Sequence, residues 1–349
     1  MPNTRAVALL SGGLDSRLAA KMVLEQGIEL YGVNFVTPFC TCTAQGCRSE
    51  ARSAAADLGI PLKVLNNSEP LLEAVKAPRF GFGRGANPCL DCRVISFTRA
   101  AGYLEEIGGS FLVTGEVLGQ RPMSQRREAI ELIERETGLA GRILRPLSAH
   151  HFPPTLPERQ GLVDRAQLLA LAGRSRRPQM RLAEDLGVND YPCPAGGCLL
   201  TDPTFGRRLK ELLVRFPDPQ MPQVTLLKAG RHFLTSEGDW LIIPREELED
   251  RRLRNLRHAL SVTARGVGFE GPTAGFLTAG PPGPRSLQEA ADLVARYGKG
   301  REQTVVPVEL HIENGRENVG PAAGHASLPP RLSGSPARGR ELAEILPRL

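Results

Sequence analysis

Apolar positions along the first 110 residues switch repeatedly between a period near two and a period near four. Residues 5–10 form a short apolar run of strand length, and residues 15–25 place Leu18, Met22 and Leu24 on one helical side. Residues 29–36 are apolar and β-branched, residues 48–58 are alanine-rich and helical, and residues 62–65 form another short strand-like run. A helical pattern over 92–107 then leads into an apolar strand at 111–114. Strands that alternate with helices predict an α/β fold with a doubly wound parallel sheet.

The pattern changes further on. Residues 116–200 are less regular, with short helices predicted over 164–172 and 178–186 and a basic turn, Arg174-Ser175-Arg176-Arg177, between them. A proline-rich stretch at 216–222 reads as a boundary. Beyond it, 223–231 and 233–244 (with Trp240) predict strands, 271–284 is loop-rich, 286–297 repeats Leu287, Ala290, Ala291, Val294 and Tyr297 at helical spacing, and 305–312 alternates as a strand. Residues 315–349 are rich in Gly, Pro, Ser and Arg, a composition that predicts a disordered tail. The expected division is a domain over 1–202, a linker over 203–222, a smaller α+β domain over 223–314, and the tail.

Composition narrows the class. The chain has 349 residues, 41% apolar and 23% charged, which fits a folded protein rather than a disordered one. No apolar run approaches the roughly 18 residues that a membrane helix needs, and residues 6–10 are too short for a secretion signal. A cytoplasmic protein with no membrane partner is expected. Net charge is +6, and of 44 basic residues only six are lysine. Arginine forks onto phosphate in two-point geometry, so the excess permits a nucleic-acid partner, although codon bias gives the same composition. The seven cysteines fall in three clusters: Cys40, Cys42 and Cys47; Cys89 and Cys92; Cys193 and Cys198. An odd number with no secretion signal favours metal binding or catalysis over disulfides.

The sharpest local signal is Ser11-Gly12-Gly13-Leu14-Asp15-Ser16, between a predicted strand and a predicted helix. Glycines let the backbone turn tightly, helix-start amides favour an anion, and Ser11 and Ser16 add hydroxyl donors. Asp15 could hold magnesium or merely cap the helix. The loop is not a Walker P-loop, because Lys299 is followed by Gly300, and it is not a dinucleotide fingerprint. It closely resembles the signature of the PP-loop ATP pyrophosphatases, which have the adenine nucleotide alpha hydrolase-like fold. That resemblance implies ATP and Mg²⁺ at the carboxyl edge of the sheet, cleavage between the α and β phosphates, and adenylation of a second substrate. The implied ATP-binding residues are Ser11, Gly12, Gly13, Asp15, Ser16, Asn34 and Gly115.

Within that family the cysteines resemble those of tRNA thiouridylases. Asn87-Pro88-Cys89-Leu90-Asp91-Cys92 looks like their Asn-Pro-x-x-x-Cys segment, Arg145-Pro146-Leu147 like their Pro-Leu turn, and Gly197-Cys198-Leu199-Leu200 like their second catalytic site. Thr114-Gly115-Glu116 departs from their Thr-Gly-His, and Cys89 and Cys92 form a Cys-x-x-Cys. The overall resemblance is to 2-thiouridylase or 4-thiouridine synthetase-like enzymes, and these departures resemble the iron–sulfur branch of tRNA thiolation enzymes. Three chemistries stay open: a [4Fe–4S] cluster on Cys89, Cys92 and Cys198; a persulfide on one cysteine resolved through a disulfide by another; or zinc on those three with Cys193. Cys40, Cys42 and Cys47 read as redox thiols, a sulfur relay, a separate metal site, or thiols without chemistry. His150 and His151 read as a surface pair.

Gly230-Arg231-His232-Phe233, the run 240–245 and the basic stretch 251–258 resemble the NFACT-R RNA-binding module. Arginines beside strands, with Trp240 and Phe233 nearby, suit RNA phosphates and bases, while the acidic residues 246, 247, 249 and 250 dilute the charge. The expectation is an ATP-dependent tRNA sulfurtransferase. Its catalytic residues are Asp15, Cys89, Cys92 and Cys198, its partners tRNA and an external donor of sulfide or persulfide. The rivals are a PP-loop ligase for a small carboxylate, with the cysteines on structural zinc, and an RNA-binding protein whose nucleotide site has lost turnover.

Overall fold

The structure, a computed structural model, describes residues 4–40, 46–188, 191, 197–299, 303–313 and 331–349. It divides into two compact units, Met1–Asp202 and Pro203–Leu349. Among the described residues no helix is long and apolar enough to cross a membrane.

The first unit is built on β1 (Arg5–Leu9), β2 (Glu29–Val36), β3 (Leu62–Asn66), β4 (Phe111–Thr114) and β5 (Ile143–Leu144). These strands lie in the order β3-β2-β1-β4-β5, and every neighbouring pair is parallel. The connecting helices are α1 (Leu14–Leu24), α2 (Gly46–Asp57), α3 (Ser68–Lys76), α4 (Cys89–Glu106), α5 (Arg127–Thr137), α6 (Leu156–Arg159) and α7 (Arg177–Asp185). Alternate residues of β1 serve opposite faces, as a two-residue period requires. Ala6 and Ala8 pack with Leu18, Ala20 and Val23 of α1, while Val7 packs with Phe97, Ala100 and Leu104 of α4. Both faces are therefore covered, and the sheet is doubly wound. Fully burying a side chain such as Phe97 or Leu104 contributes roughly 1.5–3 kcal/mol. The chain leaves β1 toward β2 on one side and reaches β4 on the other. The carboxyl ends of β1 and β4 thus flank a topological switch point, where open α/β sheets bind ligands.

Two readings of this unit are corrected. Residues 164–172 hold only a single 3₁₀ turn, Arg165–Gln167. Asp164 Oδ1 accepts the Ala166 amide at 2.9 Å, a local bond that competes with helix. The leucines beyond it run extended, with Leu169 and Leu171 donating to the carbonyls of Pro146 and Leu147. Helices α3 and α5 also lie in stretches whose pattern gave no clear signal.

The second unit contains α8 (Pro203–Arg215), α9 (Met221–Leu226), β6 (Arg231–Leu234), β7 (Trp240–Ile243), α10 (Glu247–Asn255), β8 (Val262–Gly266), β9 (Ala274–Phe276), α11 (Pro284–Tyr297), β10 (Val306–Ile312), β11 (Arg331–Gly334) and α12 (Pro336–Ile345). Its strands form one antiparallel sheet in the order β11-β10-β8-β9-β7-β6. The apolar face of α11 packs on it through Leu287, Ala290, Ala291 and Val294.

Here too several expectations are corrected. The stretch read as a linker over 203–222 holds α8 and the start of α9, and 223–231 holds the end of α9 and a turn rather than a strand, with β6 starting only at its last residue. The tail read as disordered over 315–349 is ordered at 331–349, while 314–330 lie outside the described residues. Its β11 pairs with β10, and a Cβ at Gly334 would lie 2.3 Å from the Ala291 carbonyl oxygen, so glycine permits that approach to α11. Leu342 and Leu346 are buried beyond it. Trp240 and Phe233 are fully buried and offer no face to a base. Instead, Trp240 Nε1–H donates to His232 Nδ1 at 2.9 Å. Burial pushes the His232 imidazole down to about 3, so it stays neutral.

Candidate active site

The phosphate-type loop joins β1 to α1. Gly12 has φ +82°, and a Cβ there would lie 2.5 Å from Glu50 of α2, so both backbone and packing require glycine. The loop is closed from within: Ser16 Oγ donates to the Gly13 carbonyl at 2.8 Å and the Ser11 amide donates to Ser16 Oγ at 3.3 Å. Arg17 Nε binds the Gly12 carbonyl at 3.2 Å and Nη1 binds Asp57 at 2.5 Å. The helix N-cap is Gly13, with no side-chain cap, so Asp15 does not cap it. First-turn amides with no side-chain acceptor form an anion site. The start of the 115–120 segment presses against this turn: a Cβ at Gly115 would lie 2.4 Å from the Asp15 carbonyl oxygen and 2.6 Å from the Ser16 nitrogen.

Asp15 Oδ2 accepts from Gln120 Nε2 at 2.7 Å and lies 4.0 Å from Arg176 of the basic turn. Asp15 Oδ1 is buried and has no hydrogen-bond partner. A buried carboxylate oxygen with no donor has the chemistry of a hard-cation ligand, so the residue fits magnesium. Asn34 donates to the Leu10 carbonyl at 2.7 Å, and its Oδ1 is likewise buried without a donor.

A cavity of about 350 Å³ opens beside this loop, lined by Ser11, Asp15, Ser16, Asn34 and Gly115 together with Cys40, Cys89, Cys92 and Cys198. Three separate segments supply the thiols. Cys89 begins α4, and Asn87 Nδ2 donates to its Sγ at 3.1 Å. The same Asn87 accepts the Gly85 amide at 2.9 Å, and Asp91, one turn into α4, accepts the Arg79 amide at 3.0 Å. Burial pushes the Cys92 thiol up to about 12, with Arg93 opposing it. Burial likewise pushes Cys198 up to about 11. Cys40 faces Cys198 across an isolated antiparallel bridge.

Glu116 stands where the resemblance leads one to expect histidine. It is 2% exposed and lies between Arg93 and Arg145, whose Nε is 3.1 Å away. Burial pushes its carboxyl up, but the two guanidiniums outweigh it and the net direction is down. Arg121 also lines the cavity, and burial among Arg93 and Arg176 lowers its affinity for a proton. Composition pointed to arginine in general; nothing in the sequence singled out Arg93, Arg121 or this ion cluster, whose partners lie 23–29 positions apart.

The loop, Asn34, Gly115 and the three expected cysteines therefore meet at one cavity. Gly12 and Gly13 shape the loop without lining the cavity. Among the described residues no three of Cys, His, Asp or Glu are arranged to hold a single metal ion. Cys193 and Cys42 lie outside the described residues, and the Cys47 side chain is not described. His150 and His151 do not line the cavity; their rings bond to the carbonyls of Leu168 and Ala170.

Residues 4–134 match the tRNA methyl transferase HUP domain, and residues 230–325 match the NFACT protein RNA binding domain. The chain is 35% identical to the tRNA-specific 2-thiouridylase of Syntrophotalea carbinolica over 121 residues, which is 32% of this chain and 34% of that protein. The thiouridylase of Symbiobacterium thermophilum is 25% identical over 248 residues, 65% of this chain and 59% of its own. The chain spans about a third of the length of the first curated relatives it matches. A crystal structure of a 4-thiouridine synthetase–RNA complex with bound ATP matches with 25% identity and a TM-score of 0.34, covering 53% of this chain and 51% of that one.

Proposed function

We propose that this chain, thiouridylase-like in sequence and with a HUP domain over residues 4–134, is an ATP-dependent sulfurtransferase that acts on tRNA. One observation carries the reading. An anion-binding loop and cysteines from three distant segments open on the same cavity. That juxtaposition serves a reaction in which an adenylated group meets sulfur before water reaches it.

The phosphates of ATP meet the uncapped amides of α1 and the hydroxyls of Ser11 and Ser16. Asn34 Oδ1 stands as an acceptor for a donor on the nucleotide. Asp15 would hold magnesium, which would supply charge neutralisation at the phosphates. A base carbonyl oxygen, with uridine the expected base, attacks the α-phosphorus and pyrophosphate leaves. The base must be out of its stack to reach that atom. The outer sulfur of a persulfide on Cys198 then forms a bond to the activated carbon. The carbon–oxygen bond breaks and its electron pair leaves with AMP. The sulfur comes from an external persulfide carrier: the Cys198 thiolate attacks its outer sulfur, the carrier's sulfur–sulfur bond breaks, and the electron pair leaves on the carrier thiol. In the second unit, Arg251, Arg252 and Arg257 are exposed and available to RNA phosphates.

The test uses the full chain with ATP, Mg²⁺, unthiolated tRNA and inorganic polysulfide, reading pyrophosphate and thionucleosides by mass spectrometry. One thionucleoside is expected. It disappears in Cys198→Ala, which still releases pyrophosphate, while Asp15→Ala releases none. Pyrophosphate release triggered by a small carboxylate but not by tRNA would replace this reading with the ligase. Iron and acid-labile sulfide in anaerobically purified protein decide whether sulfur is delivered from a cluster.

A further inference from the structure

Cys40 belongs to the cysteine cluster with the least recognisable spacing, yet it lies inside the cavity with the other site thiols. Its backbone is locked against that of Cys198. The two residues form an isolated antiparallel bridge, and the Leu199 amide donates to the Phe39 carbonyl at 2.7 Å. A bond between the flanking residues, rather than between the facing ones, makes Cys40 and Cys198 a non-hydrogen-bonded pair. In such pairs the Cα atoms approach to about 4.5 Å and the side chains lie closest. That spacing falls within the roughly 4.4–6.8 Å over which disulfides form. Cys89 and Cys92 lie on α4 and have no such backbone register with Cys198.

We infer that Cys40 is the resolving thiol for sulfur carried on Cys198. The inference rests on the sulfurtransferase reading above for its chemistry, but not for the pairing. After AMP leaves, the base is joined to Cys198 through a carbon–sulfur–sulfur link. The Cys40 thiolate attacks Cys198 Sγ. A Cys40–Cys198 disulfide forms, the old sulfur–sulfur bond breaks, and its electron pair stays on the base sulfur. The proton lost by Cys40 balances the one taken up at the base nitrogen beside the new thiocarbonyl. The two cysteines are oxidised and the sulfane sulfur is reduced, so no other oxidant is needed. An external dithiol then returns the disulfide to two thiols.

The full chain is oxidised with limiting oxidised glutathione, digested without reduction and mapped by mass spectrometry. A Cys40–Cys198 peptide is expected; Cys198 linked to Cys89 or Cys92, with Cys40 still a thiol, overturns the proposal. The second arm loads the chain with inorganic polysulfide and adds ATP, Mg²⁺ and tRNA without reductant. Cys40→Ser is expected to trap tRNA covalently on Cys198, and dithiothreitol to release it as the thionucleoside. In this single turnover, release of free thiolated tRNA falls on the order of 100-fold, the loss of an intramolecular attack, while the pyrophosphate burst, which precedes resolution, stays within about twofold. Trapping by Cys92→Ser but not by Cys40→Ser overturns the proposal, as does a cluster that holds Cys198. Both Cys40→Ala and Cys40→Ser are measured by circular dichroism, so that a folding defect is not read as trapping. Absence of any thionucleoside from the wild-type chain refutes the sulfurtransferase reading, while the disulfide map still decides the pairing.

Discussion

Replacing Glu116 by glutamine removes a charge from between two arginines while keeping its shape. Arg145 is the more exposed to harm. Its side chain is 4% accessible, it lies 3.1 Å from Glu116, and its other ion-pair partner is Glu134 at 2.5 Å. Arg93 is 28% accessible and less deeply held. Breaking one partner of a buried ion pair costs about 3–5 kcal/mol, because the remaining charge is left in low dielectric. Glutamine keeps one acceptor oxygen and Arg145 keeps Glu134, so the lower end, about 3 kcal/mol, is expected. For a unit of this size that lowers the melting temperature by roughly 6–12 °C. The sign with pH follows from the depressed carboxyl. Glu116 ionises below the unfolded value, so its contribution is present above the ordinary glutamate range and is lost as pH falls through the depressed folded value. Thermal unfolding of both proteins from pH 7 to pH 3 is the assay. Wild type and Glu116→Gln should converge at the acid end. A shift below 2 °C at pH 7, or a gap that widens in acid, refutes the reasoning.

Gly115→Ala drives a Cβ into the Asp15 carbonyl and the Ser16 amide, so ATP affinity measured by calorimetry should fall about tenfold or more, with a stability loss of about 1–3 kcal/mol. Asp15→Asn should raise the Mg²⁺ concentration needed for half-maximal pyrophosphate release, with little change in thermal stability. The Cys92 thiol is raised to about 12, so the folded chain binds its proton more tightly than the unfolded chain does. Stability should therefore fall by about 1.4 kcal/mol per pH unit above pH ~9, and Cys92→Ala should flatten that slope in urea titrations. With Cys198 at about 11, its alkylation by iodoacetamide at pH 8 should run about tenfold slower than that of an unperturbed cysteine, a roughly 100-fold smaller thiolate population partly offset by the greater nucleophilicity of the stronger base.

Much of the first unit was legible because its signals are local. Residues 5–10 and 29–36 are continuous apolar runs, as strands buried on both faces require, and the six-residue loop between strand and helix has one physical use. The cysteine motifs were legible as chemistry, though not as geometry, because Cys40 reaches Cys198 only through a backbone bridge spanning most of the domain. The Glu116 cluster was hidden for the same reason: an arginine's partner is set by the packing of α4 and the strand ends. In the second unit, the sequence sets Phe233 and Trp240 near arginines, a composition that suits RNA bases. A hairpin that pairs Leu234 with Trp240 turns both into core, and the indole proton is then satisfied by a neutral histidine. The glycine and proline content of the last residues concealed a strand whose order comes from pairing with β10.

Two thiols held near 11 and 12 look ill-suited to sulfur chemistry. For a direct attack by Cys198 they would be. Against a thiol of ordinary acidity the thiolate population falls about 100-fold, and the greater nucleophilicity of the stronger base recovers only about tenfold. When Cys198 is a carrier, its acidity bears on loading by the donor and not on the two steps that follow. The atom that bonds to the activated carbon is then the outer sulfur of the persulfide, and its ionisation is not that of the buried Sγ. Resolution asks Cys198 only to accept attack at Sγ, with the leaving electron pair on the base sulfur, so its own acidity governs neither step. Burial then suppresses thiolate at the unloaded carrier, which limits unproductive oxidation between turnovers.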